Sequence, residues 1–209
     1  MKPKEGRIKE LLRERGLDGA IVSSPENFHY VTGFGGHQHT VSRQPGFTLA
    51  VMRSDDKAPT HITTMDFEAA TFRIKSAGLG FVVDPYDTWV GLKTWPEISQ
   101  GAVLPDKTRM ESSADKLEQF VKACDLADKR IGVEMDYLTV PYYNMICEKF
   151  PEAQLVDISD LFVYARSIKT EEEIKMFREL CRIADHGFTQ VSRMAGIGGS
   201  GKEMSDCFR

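Results

Sequence analysis

Near its C-terminal end the sequence predicts a long amphipathic helix that begins at about residue 171. Thr170 and Glu173 form a capping box, in which the hydroxyl and the carboxylate each satisfy an unpaired backbone donor at a helix start. Apolar residues then recur at spacings of three and four, so that they share one broad face. These residues are Ile174, Met176, Phe177, Leu180, Cys181, Ile183, Ala184, Phe188 and Val191. Such a face must be buried, yet little helix-forming sequence follows it. We therefore expect that most of the covering domain is missing from this chain.

The sequence before this helix predicts strands that alternate with helices. Apolar stripes predict a first helix that ends at Gly16, a helix at residues 66–76, and a later helix capped by Ser112 or Ser113. Short apolar or β-branched runs predict strands at residues 20–23, 47–52, 61–65, 79–83 and 131–134. The second and third of these runs flank a polar turn, which is typical of an antiparallel hairpin. This alternation predicts an α/β fold with a mixed β-sheet flanked by helices.

We place a domain boundary at residues 165–170, because the sequence before it can form its own core and the sequence after it cannot. Residues 1–165 then form an N-terminal domain. Residues 166–209 form a linker and the start of a truncated second domain. Residues 84–107 have no clean period and predict an extended loop with one short helix.

Three segments resemble the aminopeptidase P, prolidase and creatinase family. The run ARSIKTEEEIKMFRELCRIADHGF, at residues 165–188, resembles the family's junction between its N-terminal domain and its pita-bread metallohydrolase domain. The segments at residues 7–34 and 130–159 also fit, so the resemblance spans nearly the whole chain. It implies a creatinase/aminopeptidase N-terminal domain with a ribonuclease H-like motif. The tail GGSGKEMSDCFR resembles the start of the family's next helix, although Met204 and Asp206 depart from the usual pattern.

The resemblance also implies a function. Members of the family hydrolyse bonds with two divalent metal ions, usually manganese, cobalt or zinc, held by two Asp, one His and two Glu beyond the junction helix. None of these ligands has a counterpart in this chain, so we assign it no catalytic residue and no metal ligand. The chain is expected to be the non-catalytic N-terminal domain of an Xaa-Pro peptidase or a creatinase-like hydrolase. Its expected partners are a second copy of itself, the missing catalytic domain and a small peptide or amide substrate.

The segment after the Tyr-Val-Thr-Gly-Phe run carries the candidate site residues. His37 and His39 could present two imidazoles to a metal, but a catalytic site needs a third protein ligand, and no carboxylate lies close in sequence. A second interpretation treats both as solvated loop residues. The resemblance adds a third, since the corresponding loop of one subunit can reach the active site of its dimer partner. On that interpretation His37, His39 and Arg43 contact substrate in the partner subunit.

Other motifs have structural interpretations. The segment GIGGSGKE, at residues 196–203, is similar to a phosphate-binding P-loop. However, Glu203 stands where the motif needs a Ser or Thr hydroxyl, and a predicted helix rather than a strand precedes the segment. We therefore favour a connection between two helices. Glu134 and Asp136 could pair as acid and base at a strand end. We interpret both as structural, because nothing nearby suggests a nucleophile or a shaped pocket.

Composition excludes some classes of function. There are 27 Lys and Arg against 31 Asp and Glu, which gives a net charge of −4 and leaves no basic patch for nucleic acid. No apolar run approaches the 18 or so residues of a membrane span. The four cysteines are scattered, and we interpret Cys124, Cys147 and Cys181 as small buried hydrophobes in a reducing compartment. We therefore predict a cytoplasmic protein.

A rival class remains open at this stage. A free-standing copy of such a domain, having lost the metallopeptidase domain, would be a non-catalytic protein-interaction module. A degraded or frame-shifted gene is a further interpretation, suggested by the apolar face of the last long helix.

Overall fold

A computed structural model describes residues 3–88, 95–100, 112–196 and 198–208. The chain divides into two compact units, Met1–Ala165 and Arg166–Arg209, which we call the N-terminal and C-terminal units. A six-stranded sheet forms the centre of the N-terminal unit, in the order β4-β3-β2-β1-β5-β6. The strands are β1 (Gly19–Val22), β2 (Leu49–Arg53), β3 (His61–Thr63), β4 (Val82–Val83), β5 (Arg130–Val133) and β6 (Gln154–Asp157).

The sheet is mixed, which confirms the predicted fold class. Strand β2 runs antiparallel to both β1 and β3, so the predicted hairpin is present. Strand β5 runs parallel to β1 and β6, and β3 runs parallel to β4. The described helices that begin in this unit are α1 (Glu5–Glu14), α2 (Pro25–Thr32), α3 (His37–Ser42), α4 (Ala69–Ser76), α5 (Trp95–Ser99), α6 (Ser113–Ala123), α7 (Val140–Lys149) and α8 (Ser159–Ser167).

Local sequence signals account for several of these helices. Ser112, one of the two caps that the sequence predicts, begins α6 and forms a capping box with Asp115. Helix α5 is the short helix predicted within residues 84–107, while residues 89–94 and 101–107 of that stretch lie outside the described residues. The helix predicted at residues 66–76 begins as a 3-10 turn, Asp66–Glu68, and continues as α4.

Two apolar cores cover the two faces of the sheet. Side chains alternate across a strand, so Ala20 and Val22 of β1 join one core while Ile21 joins the other. The first core contains buried residues of α1, α2, α4 and α8. The second contains residues of α6 and α7, such as Leu117 and Ile146. The sheet is therefore a layer with helices on both faces.

The parallel pairing of β1 and β5 positions the residues that matter below. Ile21 of β1 is in register with Val133 of β5. Because parallel strands end at the same sheet edge, the residues that follow them, Ser23 and Ser24 on one strand and Glu134 on the other, meet at that edge.

The C-terminal unit contains α9 (Glu171–Met194) and α10 (Gly201–Phe208), which are in contact. The predicted capping box of α9 is present, with Glu173 accepting from the backbone of Thr170 at 2.8 Å. No side chain of α9 is buried in this chain. Exposure is 49–65% for five large apolar side chains of its predicted face; these are Met176, Phe177, Leu180, Ile183 and Phe188.

Two further sequence interpretations concern the cysteines and the glycine-rich segment. Cys124 is buried, as predicted, but Cys147 is half-buried and Cys181 is exposed, so the interpretation of these two as buried hydrophobes is wrong. The glycine-rich segment connects α9 to α10, as the helix-to-helix interpretation predicts. Within the described residues, no helix has both the length and the apolar character needed to cross a membrane.

Candidate functional site

The segment that carries the candidate residues is helical, where the sequence analysis predicted a loop. Ser24 caps α2 by accepting from the backbone of Asn27, and Pro25 occupies the first turn, where its missing N–H is not needed. Gly33 ends α2 in the left-handed conformation, with φ of 82°, which a residue with a side chain rarely adopts. Helix α3 then begins at His37 and presents the candidate residues from a fixed element.

His39 is buried against Phe28 of the first core, which contradicts the interpretation of a solvated loop residue. Its side chain is 1% exposed, and its ring meets the ring of Phe28 edge-on at 5.4 Å between centroids. Nε2 lies 2.7 Å from the carbonyl oxygen of Ser23. A carbonyl oxygen only accepts, so the neutral ring carries its proton on Nε2. Burial lowers the pKa of His39 below its ordinary value, which keeps the ring neutral.

Arg43 ends α3 and is about half exposed. Its backbone is left-handed, with φ of 50°. The guanidinium makes a two-pronged contact with Glu26 of α2, at 2.5 and 3.2 Å. This hydrogen-bonded carboxylate raises the pKa of Arg43. The side chain therefore carries its charge at the surface in a defined orientation.

His37 lies at the opposite end of α3 from Arg43, and its side chain is exposed. It lines an open cleft of about 700 Å³ together with His29 of α2 and Lys75 of α4. Lys75 donates to the carbonyl of Gly35, at 3.2 Å, which ties α4 to the loop before α3. The three candidate residues therefore share one short helix but do not converge on one point.

The start of α3 is held by a second carboxylate. Glu68 is buried and accepts from the backbone N–H of Gln38 at 3.0 Å. A Cβ at Gly36 would lie 2.5 Å from Oε2 of Glu68 and 3.0 Å from the ring of Phe72. Only glycine permits this close approach without displacing the carboxylate.

The most constrained polar group near this segment is Glu134, which directly follows β5. Its side chain is fully buried and accepts four hydrogen bonds of 2.5–2.9 Å. The donors are the backbone N–H groups of Ser23 and Ser24, the Ser24 hydroxyl and the Asn27 amide. Burial raises the pKa of Glu134, although these hydrogen bonds oppose the rise.

The environment of Glu134 agrees with the structural interpretation of this residue. Asp136 is engaged elsewhere, because its backbone N–H donates to the Ser159 hydroxyl at 3.2 Å. The sequence analysis missed the partners of Glu134, because they lie more than 100 positions earlier in the chain. The run Ser-Ser-Pro-Glu-Asn, a helix start that directly follows a strand, was the signal that could have indicated an anion-accepting site there.

The metals implied by the resemblance find no ligand set in the described part of the chain. Across residues 3–88, 95–100, 112–196 and 198–208, no group of three or more His, Cys, Asp or Glu side chains is arranged to hold a metal ion. His29 and His37 line one cleft, but none of the described residues that line it with them carries a carboxylate or a thiol. The residues present therefore do not fit a two-metal centre.

Comparison with known proteins gives a consistent result. The model of the Creatinase/Prolidase N-terminal domain matches residues 6–168. The chain is 27% identical over 186 residues to an uncharacterized peptidase, YqhT, of Bacillus subtilis, which covers 88% of this chain and 41% of that protein. It is 24% identical over 183 residues to an Xaa-Pro dipeptidase of Lactobacillus delbrueckii subsp. lactis, covering 87% of this chain and 42% of that protein.

Solved structures show the same fold. An Xaa-Pro dipeptidase from Bacillus anthracis superposes on 97% of this chain and 46% of its own, with a TM-score of 0.67 and 20% identity. At this identity the likeness concerns the fold alone. The chain thus spans less than half the length of these relatives.

Proposed function

The chain belongs to the creatinase/prolidase N-terminal domain family, and from that premise we propose that it is the non-catalytic N-terminal domain of a metal-dependent hydrolase. The proposed parent is an Xaa-Pro peptidase of the aminopeptidase P or prolidase type, or a creatinase-like hydrolase. The observation that carries the proposal is the family match over residues 6–168, which includes the sheet and every candidate residue. The relative named as an Xaa-Pro dipeptidase supports the choice of parent.

Catalysis is assigned to a further domain. The chain covers 38–42% of the curated relatives it matches, which leaves room in such proteins for a catalytic domain. We assign the two divalent metals, manganese, cobalt or zinc, to that domain. Helix α9 is proposed to be its first helix, because its apolar face is exposed in this chain.

The N-terminal unit is proposed to support a homodimer and to contribute substrate contacts to the partner subunit. His37 and Arg43 are suited to direct contact, since both side chains are exposed on α3. His39 is suited to a positioning role, because its ring is buried behind them. A cytoplasmic location is proposed as well, supported by the free thiols of Cys124, Cys147 and Cys181.

The proposal is tested by hydrolysis of Xaa-Pro dipeptides and of creatine, with added manganese. Both this chain and the longest protein that its gene encodes are assayed. Activity in the longer protein alone is the expected result, because this chain lacks a ligand set among its described residues. Activity in neither would overturn the enzyme proposal and favour a binding module.

The substrate contact is tested with Arg43→Ala in the longer protein. Loss of a charged hydrogen bond to substrate is worth about 1.5–3 kcal/mol, so KM should rise at least about tenfold. The matched control is Arg13→Ala. Arg13 lies on α1, is also exposed, and is paired with the carboxylate of Asp56 at 2.8 Å. If both variants change KM equally, the contact assigned to Arg43 is wrong.

A further inference from the structure

We propose that Glu134 is a positioning residue for α3, and that it acts through the single peptide group that joins Ser23 to Ser24. The inference rests on the proposed function, because it matters for catalysis only if α3 presents substrate contacts. Its physical basis is a chain of hydrogen bonds that begins at the end of β5 and reaches the middle of α3.

The central link is a planar peptide. The carbonyl of Ser23 and the N–H of Ser24 belong to the same trans peptide, so they point in opposite directions and turn together. On one side, the N–H of Ser24 donates to Oε2 of Glu134 at 2.9 Å. On the other, the carbonyl of Ser23 accepts from Nε2 of His39 at 2.7 Å. Fixing the peptide on Glu134 therefore aims the carbonyl at His39.

The first turn of α2 supplies a parallel link. Glu134 holds this turn through the Ser24 hydroxyl and the Asn27 amide, each at 2.5 Å. Glu26 in the same turn makes the two-pronged contact with Arg43. One buried carboxylate thus fixes the groups that hold both the middle and the end of α3.

A stability role alone does not require a carboxylate at this position. Burying an ionisable group is costly, and a neutral acceptor could satisfy donors here at a lower desolvation cost. Here burial is complete and four donors converge on one side chain. Such a network defines one orientation for the groups bonded to it, which is the property that a contact reaching into another subunit requires.

The structural half of the inference is tested by amide hydrogen exchange on this chain. In Glu134→Ala, the backbone amides of Thr40 in α3 and of Arg43 at its end should exchange at least about tenfold faster than in the unmodified chain. The amides of β2 serve as the reference, and their exchange should change much less. Glu134→Gln keeps an acceptor and should restore most of the protection. The control is Asp84→Asn, which removes the carboxylate paired at 2.8 Å with buried Lys116 of α6. Equal acceleration in α3 and β2 would show a merely structural role and overturn the inference.

A second pair of variants cuts the link at its other end, so the test survives if Glu134→Ala does not fold. His39→Phe keeps an aromatic ring against Phe28 but removes the donor to Ser23, whereas His39→Gln can still donate. His39→Phe should accelerate α3 exchange as Glu134→Ala does, and His39→Gln should not. Unchanged α3 exchange in His39→Phe would overturn the inference.

The functional half is tested in the longer protein. In Glu134→Ala and in His39→Phe, KM should rise at least about fivefold while kcat stays within about twofold. In a protein that already carries Arg43→Ala, adding Glu134→Ala should raise KM little further. If Arg43→Ala leaves KM unchanged, the substrate contact proposed for Arg43 fails, while the exchange result still decides the positioning. If Arg43→Ala raises KM and Glu134→Ala does not, the positioning inference fails alone.

Discussion

The two units begin helices with the same motif but differ in what becomes of the apolar side chains that follow. Ser112 and Asp115 start α6, and Thr170 and Glu173 start α9, each in a complete capping box. In α6, Leu117 and its apolar neighbours are buried in the second core. In α9 no side chain is buried. Capping residues are therefore sufficient to start a helix, whereas burial of its apolar face requires another part of the protein to pack against it.

The sharpest way to test this comparison is to remove one phenylalanine from each unit. Phe28 is fully buried and packs against Phe34, His39 and Phe72. Phe28→Ala should lower the free energy of unfolding by about 3–5 kcal/mol, because it leaves a cavity in the core. Phe188 on α9 is 65% exposed, so Phe188→Ala should cost less than about 0.5 kcal/mol. Denaturant unfolding of both variants measures the two values.

The same Phe188→Ala substitution in the longest protein of the gene sharpens the comparison. If a further domain covers α9, as proposed, the cost should rise toward the value for Phe28→Ala. A cost that stays below about 0.5 kcal/mol in both proteins would contradict the proposed cover of α9.

The shared capping boxes allow a second, smaller contrast. Ser112→Ala should lower the free energy of unfolding of the N-terminal unit by about 1 kcal/mol, since α6 is part of its core. Thr170→Ala removes the same kind of cap but should only fray α9, which circular dichroism reports as lost helicity. The unfolding midpoint of the N-terminal unit should stay unchanged. A shifted midpoint in Thr170→Ala would mean that α9 stabilises that unit.

Local signals explain how much of the fold could be predicted from the sequence. The hairpin of β2 and β3 and the starts of α6 and α9 follow from turn residues and caps within a few positions. Helices α2 and α3 were missed, although Pro25 and Gly33 mark the start and the end of α2. Polar residues dominate this segment, and no apolar period indicated that it is helical.

The environment of the candidate site depends on contacts that are distant in sequence. Glu134 meets Ser24 across 110 positions, and His39 meets Ser23 across 16. No period within one segment contains such information. His39 looked like a loop residue because its neighbours in sequence are polar, while its neighbours in space are Phe28 and the end of β1. The sequence could therefore indicate which residues to consider, but not which of them are buried.

The smallest expected effect concerns pH, and it separates buried His39 from exposed residues of the same helix. Burial lowers the pKa of His39, so below its ordinary value of 6.5 the unfolded chain binds a proton that the folded chain does not. This contribution to stability is fully present above 6.5 and is lost as pH falls toward the lowered pKa. His39→Gln should make the unfolding free energy less dependent on pH in this window.

His61 has a lowered pKa for the same reason but is present in both proteins, so its contribution cancels in the difference between them. Denaturant unfolding between pH 7.5 and about 5 measures the two slopes. Identical slopes would mean that His39 gains its proton in the folded state as readily as in the unfolded chain, which complete burial of a neutral ring does not allow.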